Sequence, residues 1–149
     1  VRQNQVQVTF IDKNPEALEY SKHLASARHS EYNFRWLSDT ARNFPRYFSA
    51  DRQPNVIEMV GLLDYFTQDK VLDILQTIYN NLQSGGILIT GNICDNRERP
   101  FVTNVIGWHM IYKDPEELLK IARKAGFAEE NIEIVYEPLK IHCILIDKK

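Results

Sequence analysis

Apolar residues fall in short runs that alternate with stretches of helical period. Val6-Gln7-Val8-Thr9-Phe10-Ile11 reads as a strand ending on Asp12. Asn14-Pro15 then supplies an N-cap and a first helical residue, and Ala17, Leu18, Ser21, Leu24, Ala25 and Arg28 recur at helical spacing. Asn33 to Leu37 predicts a second strand ending in Ser38-Asp39-Thr40, and Asn55 to Val60 a third ending in Gly61-Leu62-Leu63-Asp64-Tyr65. Thr67-Gln68-Asp69 caps a helix whose Val71, Leu75, Ile78 and Leu82 form one apolar stripe up to Ser84-Gly85-Gly86. Ile87 to Thr90 follows as a buried fourth strand, with Gly91-Asn92 at its end.

The run from Ile93 to Lys113 has no clear period and carries Arg97, Arg99, Phe101, Trp108, His109 and Tyr112, the composition of a binding loop rather than a spacer. Arg42 to Pro54 is the other candidate loop. Asp114-Pro115-Glu116-Glu117 opens a last helix through Lys124, closed by Ala125-Gly126-Phe127. Ile132 to Tyr136 and Lys140 to Ile146, separated by Glu137-Pro138-Leu139, predict a closing antiparallel hairpin. Strands alternating with helices make this an α/β fold with a mostly parallel sheet.

The 149 residues, 44% hydrophobic and 26% charged, suffice for one domain with its own core. A net charge of −2 with scattered Lys and Arg gives no basic stripe for nucleic acid, and the longest apolar runs fall far short of a membrane span. A small-molecule partner is favoured over nucleic acid or membrane. Cys94 and Cys143 lie far apart without metal spacing, and none of His23, His29 and His142 has metal spacing either, so no metal site is expected. The thiols read as reduced structural residues of a cytoplasmic protein. The chain opens on Val1 without a leader pattern, which fits an excised or N-terminally trimmed domain.

The chemistry begins at Asp12. An acid at the carboxyl end of a strand that runs into a helix stands where nucleotide-binding α/β folds bond a ribose, and a carboxylate accepts both ribose hydroxyls at once. An acid stabilised by the following helix N-terminus is the competing reading. Asn92, at a strand's carboxyl end, stands where open α/β sheets place ligands, or simply closes a strand. Trp108, His109 and Tyr112 suit a lid over a substrate or an anchor to the core, and Arg97 and Arg99 suit an anionic ligand or the solvent.

Four segments together resemble the class I S-adenosylmethionine-dependent methyltransferases from their second strand to their terminus. Val8-Thr9-Phe10-Ile11-Asp12 resembles the acidic strand end that holds the ribose, and Leu37-Ser38-Asp39-Thr40 the turn at adenine. Asn55 to Phe66 resembles the strand and loop beside the reacting methyl group, and Leu82-Gln83-Ser84-Gly85-Gly86-Ile87-Leu88-Ile89 the helix-glycine-strand step after it. The resemblance implies a three-layer Rossmann-like fold with an antiparallel C-terminal strand and S-adenosylmethionine as cofactor. It implies cofactor contacts at Asp12, Lys13, Asp39, Thr40, Met59, Gly61 and Leu62. Asp64 and Tyr65 would orient or deprotonate the acceptor, and Asn92, Trp108 and Tyr112 would hold it.

Two departures qualify it. The family's Gly-x-Gly-x-Gly loop and its first strand have no counterpart, so an upstream segment, a partner chain or a rearranged register is expected to complete the sheet beside the strands at Val6–Ile11 and Asn55–Val60. Asp64-Tyr65 also stands where many members carry a histidine pair. The rival readings are a non-catalytic domain of this fold used for assembly or regulation, and a nucleotide-linked oxidoreductase fragment. The lack of an Arg beside Asp12 disfavours a 2′-phosphorylated dinucleotide.

Overall fold

Among the described residues, 6–29 and 32–149, six strands and four α-helices alternate along a computed structural model that divides into two compact units, 1–49 and 50–149. The residues ahead of the first strand, 1–5, lie outside the described ones.

In the first unit, β1 (Gln7–Asp12) pairs in parallel with β2 (Asn33–Ser38), with Phe10 opposite Trp36 and Asp12 opposite Ser38. Two parallel neighbours need a crossover, and α1 (Pro15–Arg28) supplies it. Its start is set by Asn14, whose side-chain oxygen accepts from the Glu16 and Ala17 amides at 2.9 and 3.4 Å. Only Leu18 of this helix is buried. The aromatic residues of the strands lie against one another instead: the Phe10 ring stacks on Trp36 at 4.3 Å and meets Phe34 at 6.0 Å. Beyond β2, part of the expected loop winds into a 3-10 segment, Ala41–Tyr47.

In the second unit, β3 (Val56–Met59) pairs in parallel with β4 (Ile87–Ile93). Antiparallel to β4 runs β6 (His142–Lys148), flanked by β5 (Ile132–Tyr136), in the order β3-β4-β6-β5. β4 therefore continues past its expected end, because seven residues of β6 pair with it as far as His142 opposite Ile93. Gly91 permits that close pairing, since a Cβ there would meet the Cys143 carbonyl at 3.1 Å. α2 (Gln68–Asn81) and α4 (Pro115–Ala125) pack on each other, and Leu75, Leu82, Leu88, Leu118 and Leu145 form the solvent-free core. Asp114 caps α4 by accepting from the Glu117 amide at 2.7 Å. Thr67 precedes α2 without a side-chain bond and contributes only its carbonyl, to Val71 at 2.9 Å.

Two further differences from the sequence reading are local. A short helix, α3 (Arg99–Asn104), lies within the aperiodic 93–113 run; its Phe101 is exposed, so no apolar stripe marks it. The last strand starts at His142 rather than Lys140, because the Glu137 carboxylate gathers the amides of Leu139, Ile141 and His142 into the turn. β1 and β3 each stand at the end of their sheet order, with one ladder partner apiece among the described residues.

Candidate functional site

The polar groups nominated from the sequence gather at the carboxyl ends of the parallel strands, in each unit separately. In the first unit, the Asp39 amide donates to the Asp12 carbonyl at 3.1 Å, bringing the two strand ends together. Asp12 and Lys13 are exposed. The Asp12 carboxylate accepts from the Asn14 amide at 2.8 Å, which orients it at the mouth of the β1–α1 turn. Asp39 is more enclosed by bonds: it accepts from the Thr40 amide at 2.7 Å, from Asn43 at 2.8 Å and from the Tyr47 hydroxyl at 2.7 Å. The Tyr47 and Asn43 hydrogen bonds and the Thr40 amide hold its carboxyl below the ordinary range, and the same bond raises the Tyr47 phenol. Asp39 therefore shapes the Thr40 turn through the 3-10 segment. Asn43 and Tyr47 were not singled out from the sequence, and their place in the Arg42–Pro54 loop gave no periodic signal.

In the second unit, β3 ends at Met59, whose carbonyl accepts from the Thr90 hydroxyl at 2.8 Å. Gly61 follows with φ +78°, the left-handed backbone that favours glycine, and Leu62 is half-buried. The chain then makes one 3-10 turn, Leu63–Tyr65. Asp64 is buried at 2% exposure, and its Oδ1 accepts from the Ile93 amide at 2.7 Å at the end of β4. Asn92, 1% exposed, donates to the Ile93 and Ile111 carbonyls at 2.8 and 3.4 Å. Tyr65 is half-exposed, and its hydroxyl accepts from the Trp108 indole nitrogen at 3.0 Å. Arg99 lies 4.6 Å over the Tyr112 ring, which links α3 to the segment that precedes α4.

The structure adds Lys113, which nothing in its sequence neighbourhood marks. Its side chain is buried, and its ammonium donates to the Leu63 carbonyl at 3.0 Å, the Ile111 carbonyl at 3.2 Å and Asn92 Oδ1 at 3.4 Å. Burial lowers its pKa, opposed by the charges of Asp64 and Glu117. Asp64, Tyr65, Asn92, Trp108 and Lys113 thus form one connected polar group, with Tyr65 and Trp108 at the solvent and the other three beneath.

The cysteines, remote in sequence, meet at this end of β4 and β6. Burial raises both thiols, that of Cys143 to about 12, so neither is a ready nucleophile at neutral pH. Among the described residues, no cluster of three or more His, Cys, Asp or Glu could hold a metal ion, and no helix is long and apolar enough to cross a membrane.

No protein-family model and no curated protein sequence matches the chain. Many solved structures do. An O-methyltransferase family protein from Burkholderia thailandensis covers 97% of the chain at TM-score 0.71 and 14% identity. Magnesium protoporphyrin IX methyltransferase from Synechocystis, solved with bound S-adenosylhomocysteine, covers 97% at TM-score 0.72 and 10% identity. The fold is that of the class I methyltransferases. A structure from Bordetella parapertussis described as a possible exported protein also matches, at TM-score 0.81 and 17% identity over 97% of the chain. The chain spans 44%, 64% and 53% of these three structures respectively.

Proposed function

We propose that this chain carries part of an S-adenosylmethionine-dependent methyltransferase acting on a small-molecule acceptor. The observation that carries the reading is Asp12, an exposed carboxylate at the carboxyl end of β1, joined through its backbone to the Asp39-Thr40 turn. A methyltransferase fold places cofactor at such strand ends, and structures of this fold hold S-adenosylhomocysteine. The residues fit the group: a carboxylate positioned by the Asn14 amide is a bidentate acceptor for ribose hydroxyls, and Asp39 preorganises the backbone beside it.

In this reading Asp12 and Lys13 hold the ribose side, and Asp39 with Thr40 forms the adenine turn. Within the second unit, the loop after β3 carries Met59, Gly61 and Leu62, and the positive φ of Gly61 leaves its backbone open to a ligand. When bound, the cofactor supplies an electrophilic methyl group on a sulfonium. The chain's own contribution is alignment, because an in-line displacement draws most of its rate from holding acceptor and methyl in register. Tyr65, half-exposed and oriented by Trp108, is the acceptor-facing polar group; Asp64, spent on the Ile93 amide, and Asn92, held by backbone carbonyls and by Lys113, shape the floor beneath it. Tyr112, under the Arg99 guanidinium, is the further aromatic residue of this loop assigned to the acceptor. Among the described residues β1 and β3 each have one ladder partner, which leaves at each an edge that a further strand, from this protein or from a partner chain, can pair with.

The test is S-adenosylhomocysteine affinity in wild type and Asp12→Ala. Losing a charged hydrogen-bond acceptor is expected to weaken binding by about 1.5–3 kcal/mol. Equal affinity in the two proteins would remove Asp12 from the site.

A further inference from the structure

The 3-10 turn after β3 offers three successive acceptors, and each takes a hydrogen bond from a different residue of the run before α4. Lys113 Nζ donates to the Leu63 carbonyl at 3.0 Å, the Ile111 amide to the Asp64 carbonyl at 2.7 Å, and Trp108 Nε1 to the Tyr65 hydroxyl at 3.0 Å. The run and the turn are thereby stitched side by side. The other end of the stitch is β4, where Asp64 takes the Ile93 amide and Asn92 meets both Lys113 and the Ile111 carbonyl.

Of these side chains, Lys113 alone bonds to both of the other segments, since Asp64 reaches the run only through its backbone carbonyl. An ammonium removed from water is costly unless its protons are matched, and here each proton has an oxygen partner, with the Asp64 carboxylate supplying the balancing charge nearby. A surface lysine would meet no such cost, so the burial calls for a return elsewhere in the site. The residues around it show where. Val105, Ile106 and Trp108 are half-exposed or more, so the 105–109 stretch has little core contact to fix it. Its Val105, Ile106 and Trp108 amides bond back to Phe101 and Val102 of α3, while its attachment to the turn and to β4 runs through Trp108, Ile111 and Lys113, of which Lys113 alone ties the turn to β4 by its side chain.

We propose that Lys113 is a positioning residue that fixes the Tyr65–Trp108 pair against the carboxyl end of β4. The assignment rests on the reading that this pair faces the methyl acceptor, but its structural content can be tested without cofactor. Lys113 acts through Leu63, Ile111 and Asn92 and itself touches no ligand.

The chain has two tryptophans, Trp36 and Trp108, so incorporation of 5-fluorotryptophan gives two fluorine resonances, assigned with Trp36→Phe. In Lys113→Met the Trp108 resonance is expected to shift or broaden while that of Trp36 stays. Leu75→Ala, a core truncation in α2 away from the polar group, is expected to lower stability and move neither. An unmoved Trp108 resonance in folded Lys113→Met would overturn the proposal, as would an equal response to Leu75→Ala. Should Lys113→Met fail to fold, hydrogen exchange on the wild type decides. The Ile93 and Ile111 amides are expected to open together, and an Ile111 amide exchanging as fast as those of 105–109 would overturn it. Absence of S-adenosylhomocysteine binding with the fluorine result intact would count against the methyl-transfer reading alone.

Discussion

Asp147 allows a prediction that needs no ligand. It lies in β6 between Leu88 and Ile132, has no exposed surface, and neither carboxyl oxygen has a hydrogen-bond partner. Burial alone raises its pKa from 3.8 to about 7. The folded state therefore binds this proton more tightly than the unfolded chain does. The stability that this contributes is fully present below pH 3.8 and is lost as pH rises through about 7. A shift of roughly 3 units at about 1.4 kcal/mol each sets the loss at about 4 kcal/mol. That is a large share of a domain's usual stability of about 5–15 kcal/mol. Asp147→Asn keeps the shape and removes the titration. Chemical unfolding followed by circular dichroism, in wild type and variant across this range, isolates the effect, because every other titrating group is common to both. The variant is expected to be more stable by several kcal/mol above neutrality, with the two curves converging toward pH 4. Parallel curves would refute the reasoning.

Two other expectations concern turns. Burial raises the Glu137 carboxyl, but the Leu139, Ile141 and His142 amides bring it below its ordinary 4.5, so its contribution is present above that value and lost as pH falls through the folded pKa. Glu137→Gln is expected to lower Tm at neutral pH, with the gap closing in acid; a constant gap would refute it. Gly126 closes α4 at φ +120°, and a Cβ there would stand 2.8 Å from two carbons of the Tyr79 ring, which packs edge-on against Phe127. Gly126→Ala is expected to cost about 1–3 kcal/mol by denaturant titration, and a neutral result would contradict the contact.

Much of the fold was legible because its signals are local. Asn14-Pro15 and Asp114-Pro115 cap helices where expected, and the stripe of Val71, Leu75 and Ile78 is the buried face of α2. What the pattern missed depends on partners remote in the chain. β4 runs on to Ile93 because β6 pairs with it, which local turn chemistry at Gly91-Asn92 does not reveal. Glu137 delays β6 by capturing its first amides, and α3 has no apolar face to betray it.

The candidate site divides the same way. Strand-end acids are conspicuous, since a charged residue after an apolar run is a visible discontinuity, so Asp12, Asp39 and Asp64 stood out. Their surroundings were not visible. That Asp39 is clasped by Tyr47, that Asp64 is spent on the Ile93 amide, and that a buried lysine ties Asn92 to Leu63 all follow from contacts across many residues. Lys113 in particular reads as an ordinary charged residue beside a helix cap until its 1% exposure is known.

The central claim is that Asp12 and the Asp39 turn belong to an S-adenosylmethionine site. The most direct measurement is calorimetric titration of the full gene product with S-adenosylhomocysteine, alongside NAD and with Asp12→Ala as comparison. Saturable binding of S-adenosylhomocysteine, weakened by the substitution and unmatched by NAD, is the expected result. Binding of NAD instead, or of neither ligand by the folded protein, would contradict the account.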